Sequence, residues 1–251
     1  MAFVQLNTVS IHFPIYNFNA RSLKQQFLRL ALGGDLYREE NKMVVQALNK
    51  ITLQLKHGDR VGLIGHNGAG KSTFLRVLAK IYEPSAGTIQ IEGKVCSLLN
   101  VMLGIHPEST GYENILVRGL LLGLTRKEIR NKMDDIAQFT ELGDYLFTPV
   151  RSYSAGMQLR LAFAVATCIQ PDILLMDELI EVGDSAFLKK AQTRLSEFID
   201  QSSLLVLATH SNETIRKFCN KVILLEKGQL IYFGEMEKGF ILYEQLNHAP
   251  C

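Results

Sequence analysis

Eight consecutive residues, Gly65-His66-Asn67-Gly68-Ala69-Gly70-Lys71-Ser72, fit the spacing GxxxxGK[ST], with Thr73 directly after them. Glycines at these positions let the backbone curl so that successive N–H groups point inward at phosphate oxygens. A helix that starts at the end of such a loop adds the positive end of its dipole. Lys71 then reaches the β- and γ-phosphates, and the Ser72 hydroxyl is placed to ligate Mg²⁺. The flanks agree, since residues 60–64 read as a short apolar strand and 72–81 as a helix. A strand–turn–helix junction that merely needs glycine is the plainer reading, and the full match in this context outweighs it. The loop implies a bound nucleoside triphosphate without naming a particular enzyme.

A second chemistry-bearing pair ends the apolar run Ile173-Leu174-Leu175-Met176, namely Asp177 and Glu178. At a strand end, Asp177 is placed to hold Mg²⁺ through water and Glu178 to polarise an attacking water, because a general base must lie within one hydrogen bond of it. Taken alone, an acidic pair after a strand is also a common surface feature.

Tyr153-Ser154-Ala155-Gly156-Met157-Gln158 resembles the LSGGQ signature of the ABC ATPases in a YSxGM form. Here the Ser154 hydroxyl, the Gly156 amide and a helix N-terminus together suit a γ-phosphate; a helix N-cap explains Ser154 alone but not the rest. Asp184, in Glu181-Val182-Gly183-Asp184, stands at the family's D-loop position, and His210, after the strand 204–208, at that of its switch histidine. The resemblance runs in the same motif order across nearly the whole chain. It implies bound ATP and Mg²⁺, hydrolysis through Glu178 with Lys71 and His210, and a head-to-tail homodimer in which each copy lends its signature to the other's ATP.

Within that family, His106-Pro107-Glu108-Ser109-Thr110-Gly111-Tyr112-Glu113-Asn114 resembles the HPELTGREN stretch of the polysaccharide exporters, the branch that serves O-antigen, capsule and teichoic acid. The run from Asp177 to Phe187 and the long insert between the first two strands point the same way. The family's usual glutamine is missing between Leu98 and Leu103, and Asn100 is the nearest substitute as a metal-sensing residue, one methylene shorter. Phe13 stands where the family stacks an aromatic ring on adenine, with Tyr16 the alternative. The amphipathic stretch 20–32 matches the branch's gate helix near the membrane channel, or else packs on its own domain. The carbohydrate-binding β-sandwich that some members add at the C-terminus is not expected here.

These groups must be carried by a suitable scaffold. The chain has 251 residues, 47% of them hydrophobic and 21% charged, enough for one large α/β domain with an insertion. A net charge of +2 gives no basis for nucleic-acid binding. The four cysteines form no CxxC pair and read as reduced thiols. No apolar run has the length of a membrane span and no signal peptide is expected, so if this protein serves a membrane another chain must cross it, a permease on the family resemblance. Strands are expected at 3–12, 47–55, 60–64, 173–176, 204–208 and 221–226, with a hairpin of 88–91 and 94–99 around Gly93. Helices are expected at 114–122, 126–139, 158–168, 186–201, 212–218 and near 240–246.

The expected fold is therefore α/β: a P-loop NTPase with a RecA-like core and an antiparallel β portion. Residues 1–98 and 167–251 would form the catalytic core and 99–166 an inserted helical subdomain. The expected site is the cytoplasmic face of the inner membrane, with a lipid-linked glycan contacted mainly by the permease. An ABC transporter for a drug, lipid or small solute, or a non-transport ABC ATPase, are the rival readings.

Overall fold

The computed structural model describes residues 1–15, 35–39, 42–178 and 185–248. The expected gate helix at 20–32, Tyr16 and Asp184 lie outside the described residues. In chain order the strands are β1 (Phe3–Ile15), β2 (Asp35–Glu39), β3 (Lys42–Lys56), β4 (Arg60–Ile64), β5 (Ala86–Glu92), β6 (Val95–Leu98), β7 (Ile173–Asp177), β8 (Leu204–Ala208), β9 (Lys221–Glu226) and β10 (Gln229–Gly234). The helices are α1 (Lys71–Leu78), α2 (Gly111–Leu121), α3 (Arg126–Thr140), α4 (Ala155–Ala166), α5 (Ser185–Gln201), α6 (Asn212–Phe218) and α7 (Met236–His248).

Two compact units emerge, one comprising Met1–Val95, Asp172–Glu178 and Ser203–Cys251, the other Cys96–Pro171 and Leu179–Ser202. The first unit contains an antiparallel sheet of order β2-β3-β1-β5. Its β3 buries Ile51, Leu53 and Leu55 and exposes Thr52, Gln54 and Lys56, the period of two that a one-sided sheet requires. A second sheet has the order β10-β9-β4-β8-β7-β6. Its β4, β7, β8 and β9 pair in parallel, and β10 joins β9 antiparallel. All five residues of β8 are buried, as in a parallel strand covered on both faces. α1 packs against β3, β7 and β8, which fixes the phosphate loop to the ends of the central strands.

The expected hairpin around Gly93 does not form. β5 pairs antiparallel with β1, while β6 belongs to the other sheet. The cause lies just after the turn. Asp172 accepts the Lys94 amide at 2.7 Å, and the Lys94 carbonyl accepts the amides of Asp172 and Ile173, each at 3.0 Å. Those bonds draw the chain toward the start of β7 instead of back along β5. Gly93, at φ +113°, lies so close that a β-carbon there would meet the Asp172 Cβ at 2.9 Å.

The second unit is helical. Thr110 and Glu113 form a reciprocal capping box at α2, and Thr125 and Glu128 form another at α3. The unit extends beyond 99–166 because α5 joins it. Arg194 of α5 pairs with Asp135 at 2.9 Å, donates to the Thr167 hydroxyl at 3.0 Å and lies 4.3 Å from the centre of the Phe139 ring. Lys190, one turn earlier, pairs with Glu141 at 2.8 Å. Among the described residues no helix is long and apolar enough to cross a membrane.

Candidate functional site

β4 is an apolar strand that ends at Ile64 and delivers the chain into the phosphate loop. Gly65 has a φ of +146°, and a β-carbon there would come within 2.3 Å of the Leu225 carbonyl oxygen. Gly70, at φ +102°, is pressed against the Ala47 carbonyl at 2.9 Å by the same measure. Neither position tolerates a side chain, so these glycines answer a close backbone approach as well as an unusual dihedral. The loop is tied down by the Ala69 amide donating to His66 O at 3.0 Å and the Gly228 amide donating to Ala69 O at 2.9 Å. No side chain caps α1, whose N-cap is Gly70. Its first-turn amides, those of Lys71, Ser72 and Thr73, are thus left to the anion that a helix N-terminus favours.

Lys71 folds back over this loop. Its ammonium donates to the carbonyls of Gly65 at 2.5 Å and His66 at 3.0 Å. Burial pushes its pKa down, opposed by the negative charges of Asp177 and Glu178. The Ser72 hydroxyl donates to Asp177 Oδ2 at 2.9 Å, bridging residues 105 positions apart in sequence. The loop and the acidic strand end are therefore one site. Next to Asp177, Glu178 adopts φ +64°, and its amide donates to Ala208 O at 2.7 Å. A non-glycine residue held left-handed by a bond to the neighbouring strand is strained, and strain of this kind gathers at functional positions. Its side chain is exposed, as is that of His210, which follows β8.

The side chains of the other candidate residues are held as follows. Phe13, near the end of β1, is half-buried and meets Tyr82 edge-on, with ring centres 5.2 Å apart. His66 turns its ring toward Tyr243 of α7 at 5.4 Å, and Asn67 is exposed beside it. In the helical unit, Ser154 caps α4 by accepting the Met157 amide at 3.2 Å, which leaves its hydroxyl proton to donate elsewhere. The nearest atom to a β-carbon added at Gly156 is the Ser154 hydroxyl at 3.9 Å, so packing within the chain does not demand a glycine there. A 410 Å³ hollow beside Ser154 and Gly156 is bounded by Glu141, Leu142, Tyr145, Met157 and Arg160. Asn100 uses its amide oxygen to accept the Met102 amide at 3.1 Å.

Two positioning residues were not singled out from sequence. Asn114 is fully buried and accepts the His106 amide at 2.7 Å. Its own amide donates to the carbonyls of His106, Ser109 and Thr110, so a single side chain clamps the loop 106–110. Arg118, buried and without a carboxylate partner among the described residues, donates to Val101 O at 2.6 Å and Ala162 O at 2.9 Å. Burial lowers its pKa to about 10, still charged at neutral pH. Asn114 closes the run His106–Asn114 quoted from the sequence, but nothing in that run showed what its side chain or that of Arg118 would bond.

Comparison with known proteins agrees with this geometry. A family model described as ABC transporter matches residues 48–181, more than half of the chain. The chain is 46% identical to the O-antigen export system ATP-binding protein RfbE of Yersinia enterocolitica, over 91% of this chain and 96% of that protein. It is 35% identical to the O-antigen export system ATP-binding protein RfbB of Klebsiella pneumoniae, over 96% of this chain and 97% of that protein. The teichoic acids export ATP-binding protein TagH of Bacillus anthracis is 34% identical over 96% of this chain but only 42% of its own length. Among solved structures, a dimeric ATP-binding cassette in a post-hydrolysis state with ADP and Pi matches the fold with a TM-score of 0.65 at 20% identity, covering 93% of this chain and 98% of that one. An ATP-binding subunit of an ABC transporter matches with a TM-score of 0.69 at 19% identity, over 98% of this chain and 93% of that one. With its phosphate loop joined to the acidic strand end and its relatives alike along nearly their whole length, the chain belongs to the ABC transporter family, as an ATP-binding and ATP-hydrolysing member.

Proposed function

We propose that this chain is the ATP-driven motor of an exporter that carries a lipid-linked polysaccharide across the cytoplasmic membrane. The observation that carries the motor is the Ser72–Asp177 bond, which joins the phosphate loop to a strand end whose next residue, Glu178, is exposed and strained. The cargo rests on the likeness to O-antigen export proteins over more than nine-tenths of both chains.

ATP would lie along residues 65–73 with its phosphates on the loop amides. Lys71 would exchange its two carbonyl acceptors for phosphate oxygens, and Glu178 would orient the attacking water and accept its proton. His210 would hold the γ-phosphate from the end of β8, and Phe13 would stack on the adenine. Ser72 and Asp177 offer hard oxygen donors of the kind Mg²⁺ takes alongside phosphates, where the ion would neutralise charge building on the transferred group. Asn100 is a further candidate toward that ion.

Ser154 and Gly156 would serve the ATP of a second copy, which gives a head-to-tail homodimer. The free hydroxyl proton, the open space at Gly156 and the adjoining hollow support this reading. Asp184 would lie near the same junction. The first compact unit would act as the catalytic core, and the helical unit, which includes α5, as the part that passes closure to a membrane-spanning permease at the cytoplasmic face of the membrane. The glycan would be contacted mainly by that permease.

The test is Glu178→Gln at the native locus, with lipid-linked glycan measured inside the cell and polymer measured at its surface. Glycan building up inside while surface polymer disappears is the expected result. Unchanged amounts of both would leave the ATPase intact and assign it another cargo.

A further inference from the structure

We propose that Tyr82 is a positioning residue for the nucleotide base, holding the ring of Phe13 in the plane on which adenine stacks. The proposal rests on the reading of Phe13 as the base platform and extends it to a residue outside every motif of the site.

α1 carries the phosphate-binding residues at its first turn and ends at Leu78. Lys80 then enters the left-handed region at φ +57°, and the amides of Ile81 and Tyr82 turn back to Arg76 O at 2.9 and 3.3 Å. This reversal sends the chain toward β1. There it is stitched down twice, by the Ser85 amide on Ser10 O at 2.9 Å and by the His12 amide on the Ser85 hydroxyl at 3.0 Å. Tyr82 is thus trapped between the end of α1 and the residues just before Phe13.

The ring geometry suits a support. Tyr82 and Phe13 meet at 71° with centres 5.2 Å apart. Edge-to-face contact is a favoured aromatic pairing, and it constrains the tilt of one ring against the other. The Arg76 guanidinium lies 5.9 Å from the centre of the Tyr82 ring, adding a second contact to the support. Phe13 itself stays half-buried, with surface left for a base. A platform whose rotamer is set before binding spares the ligand the cost of ordering it. Because α1 carries the proposed phosphate-binding residues at one end and leads to Tyr82 at the other, one helix links the phosphate and base subsites.

Calorimetric titration of the full chain with ATP and with inorganic tripolyphosphate, which has no base, separates this role from a general effect on folding. Tyr82→Ala should weaken ATP by about two- to tenfold, the range of an aromatic pair, and leave tripolyphosphate binding unchanged. Tyr82→Phe keeps the ring and should bind ATP as the wild type does. Equal weakening of both ligands by Tyr82→Ala would mean that Tyr82 acts on the phosphate loop, and would overturn the proposal. Phe13→Ala separates the two layers. If it weakens ATP while Tyr82→Ala does not, the platform stands and the role of Tyr82 falls. If Phe13→Ala leaves ATP affinity unchanged, the platform reading fails and takes the proposal with it.

Discussion

Lys71 illustrates how a single functional residue can work against the stability of its own fold. Its ammonium is half-buried, and that burial holds its pKa below the ordinary lysine value despite Asp177 and Glu178 nearby. Below the folded pKa the native state bears the full cost of a charged, partly desolvated amine. The cost fades as pH rises through the folded value toward the unfolded one. At neutral pH, Lys71→Met removes that charge, so the melting temperature of the nucleotide-free protein should stay level or rise. The same variant should lose the stabilisation by ATP, which at a hundredfold excess over Kd is worth about 2.7 kcal/mol in the wild type. Thermal melts with and without ATP measure both; an unaltered ATP shift would remove Lys71 from the site. Glu178→Gln poses the complementary case, since it keeps the shape of a side chain already held at positive φ. Folding should be unaffected while ATP hydrolysis falls by roughly 10²- to 10⁴-fold, the usual worth of a general base. Steady-state ATPase activity checks it, and a near-native rate would reassign the base.

Helix caps separate structural from functional roles at the scale of the element. Thr125 caps α3 with a complete capping box, and Ser154 caps α4 through the Met157 amide. Either residue changed to alanine should lower stability by about 1 kcal/mol. On the proposed reading, only Ser154→Ala should also suppress ATP hydrolysis, because its hydroxyl proton would then contact the ATP of a second copy. Denaturant midpoints paired with ATPase rates test this, and a Ser154 variant that loses stability alone would make Ser154 a cap and nothing more. Elements dictated by local pattern were legible in the sequence. α6 and β9 fall at the expected residues, and the glycine–lysine spacing marked the loop between β4 and α1. What was not legible depended on long-range partners. Gly93 has the composition of a hairpin turn, but Asp172, far along the chain, redirects it. β10 was missed because its residues are mostly half-exposed and only pairing with β9 defines them. α5 was counted with the core because nothing local shows that Arg194 reaches Asp135 and Phe139. Asn114 and Arg118 were passed over for a related reason: a buried polar residue in a helix looks like a surface one until its carbonyl partners are known.

At the scale of the whole molecule, the residues that would act on one ATP are divided between two compact units. Lys71, Ser72, Asp177, Glu178 and His210 belong to the first, and Ser154 and Gly156 to the second. If each nucleotide is held by the loop of one copy and the signature of another, defects in the two halves must complement one another. In a mixture of Lys71→Ala and Ser154→Ala chains, each chain fails alone. A heterodimer would nevertheless contain one composite site with both halves intact, formed by the loop of the Ser154→Ala chain and the signature of the Lys71→Ala chain. Random pairing of equal amounts makes half of the dimers mixed, each with one good site of two, so roughly a quarter of wild-type ATPase activity should return for a symmetric dimer whose sites fire independently. Mixing the purified variants and following phosphate release measures it. Recovery requires the two kinds of chain to pair with one another, because no rearrangement within a single chain can restore a missing lysine or serine. A flat response from variants that each bind or fold normally would count against the head-to-tail arrangement with independent sites, leaving Ser154 and Gly156 without a role in a neighbour's hydrolysis on that scheme.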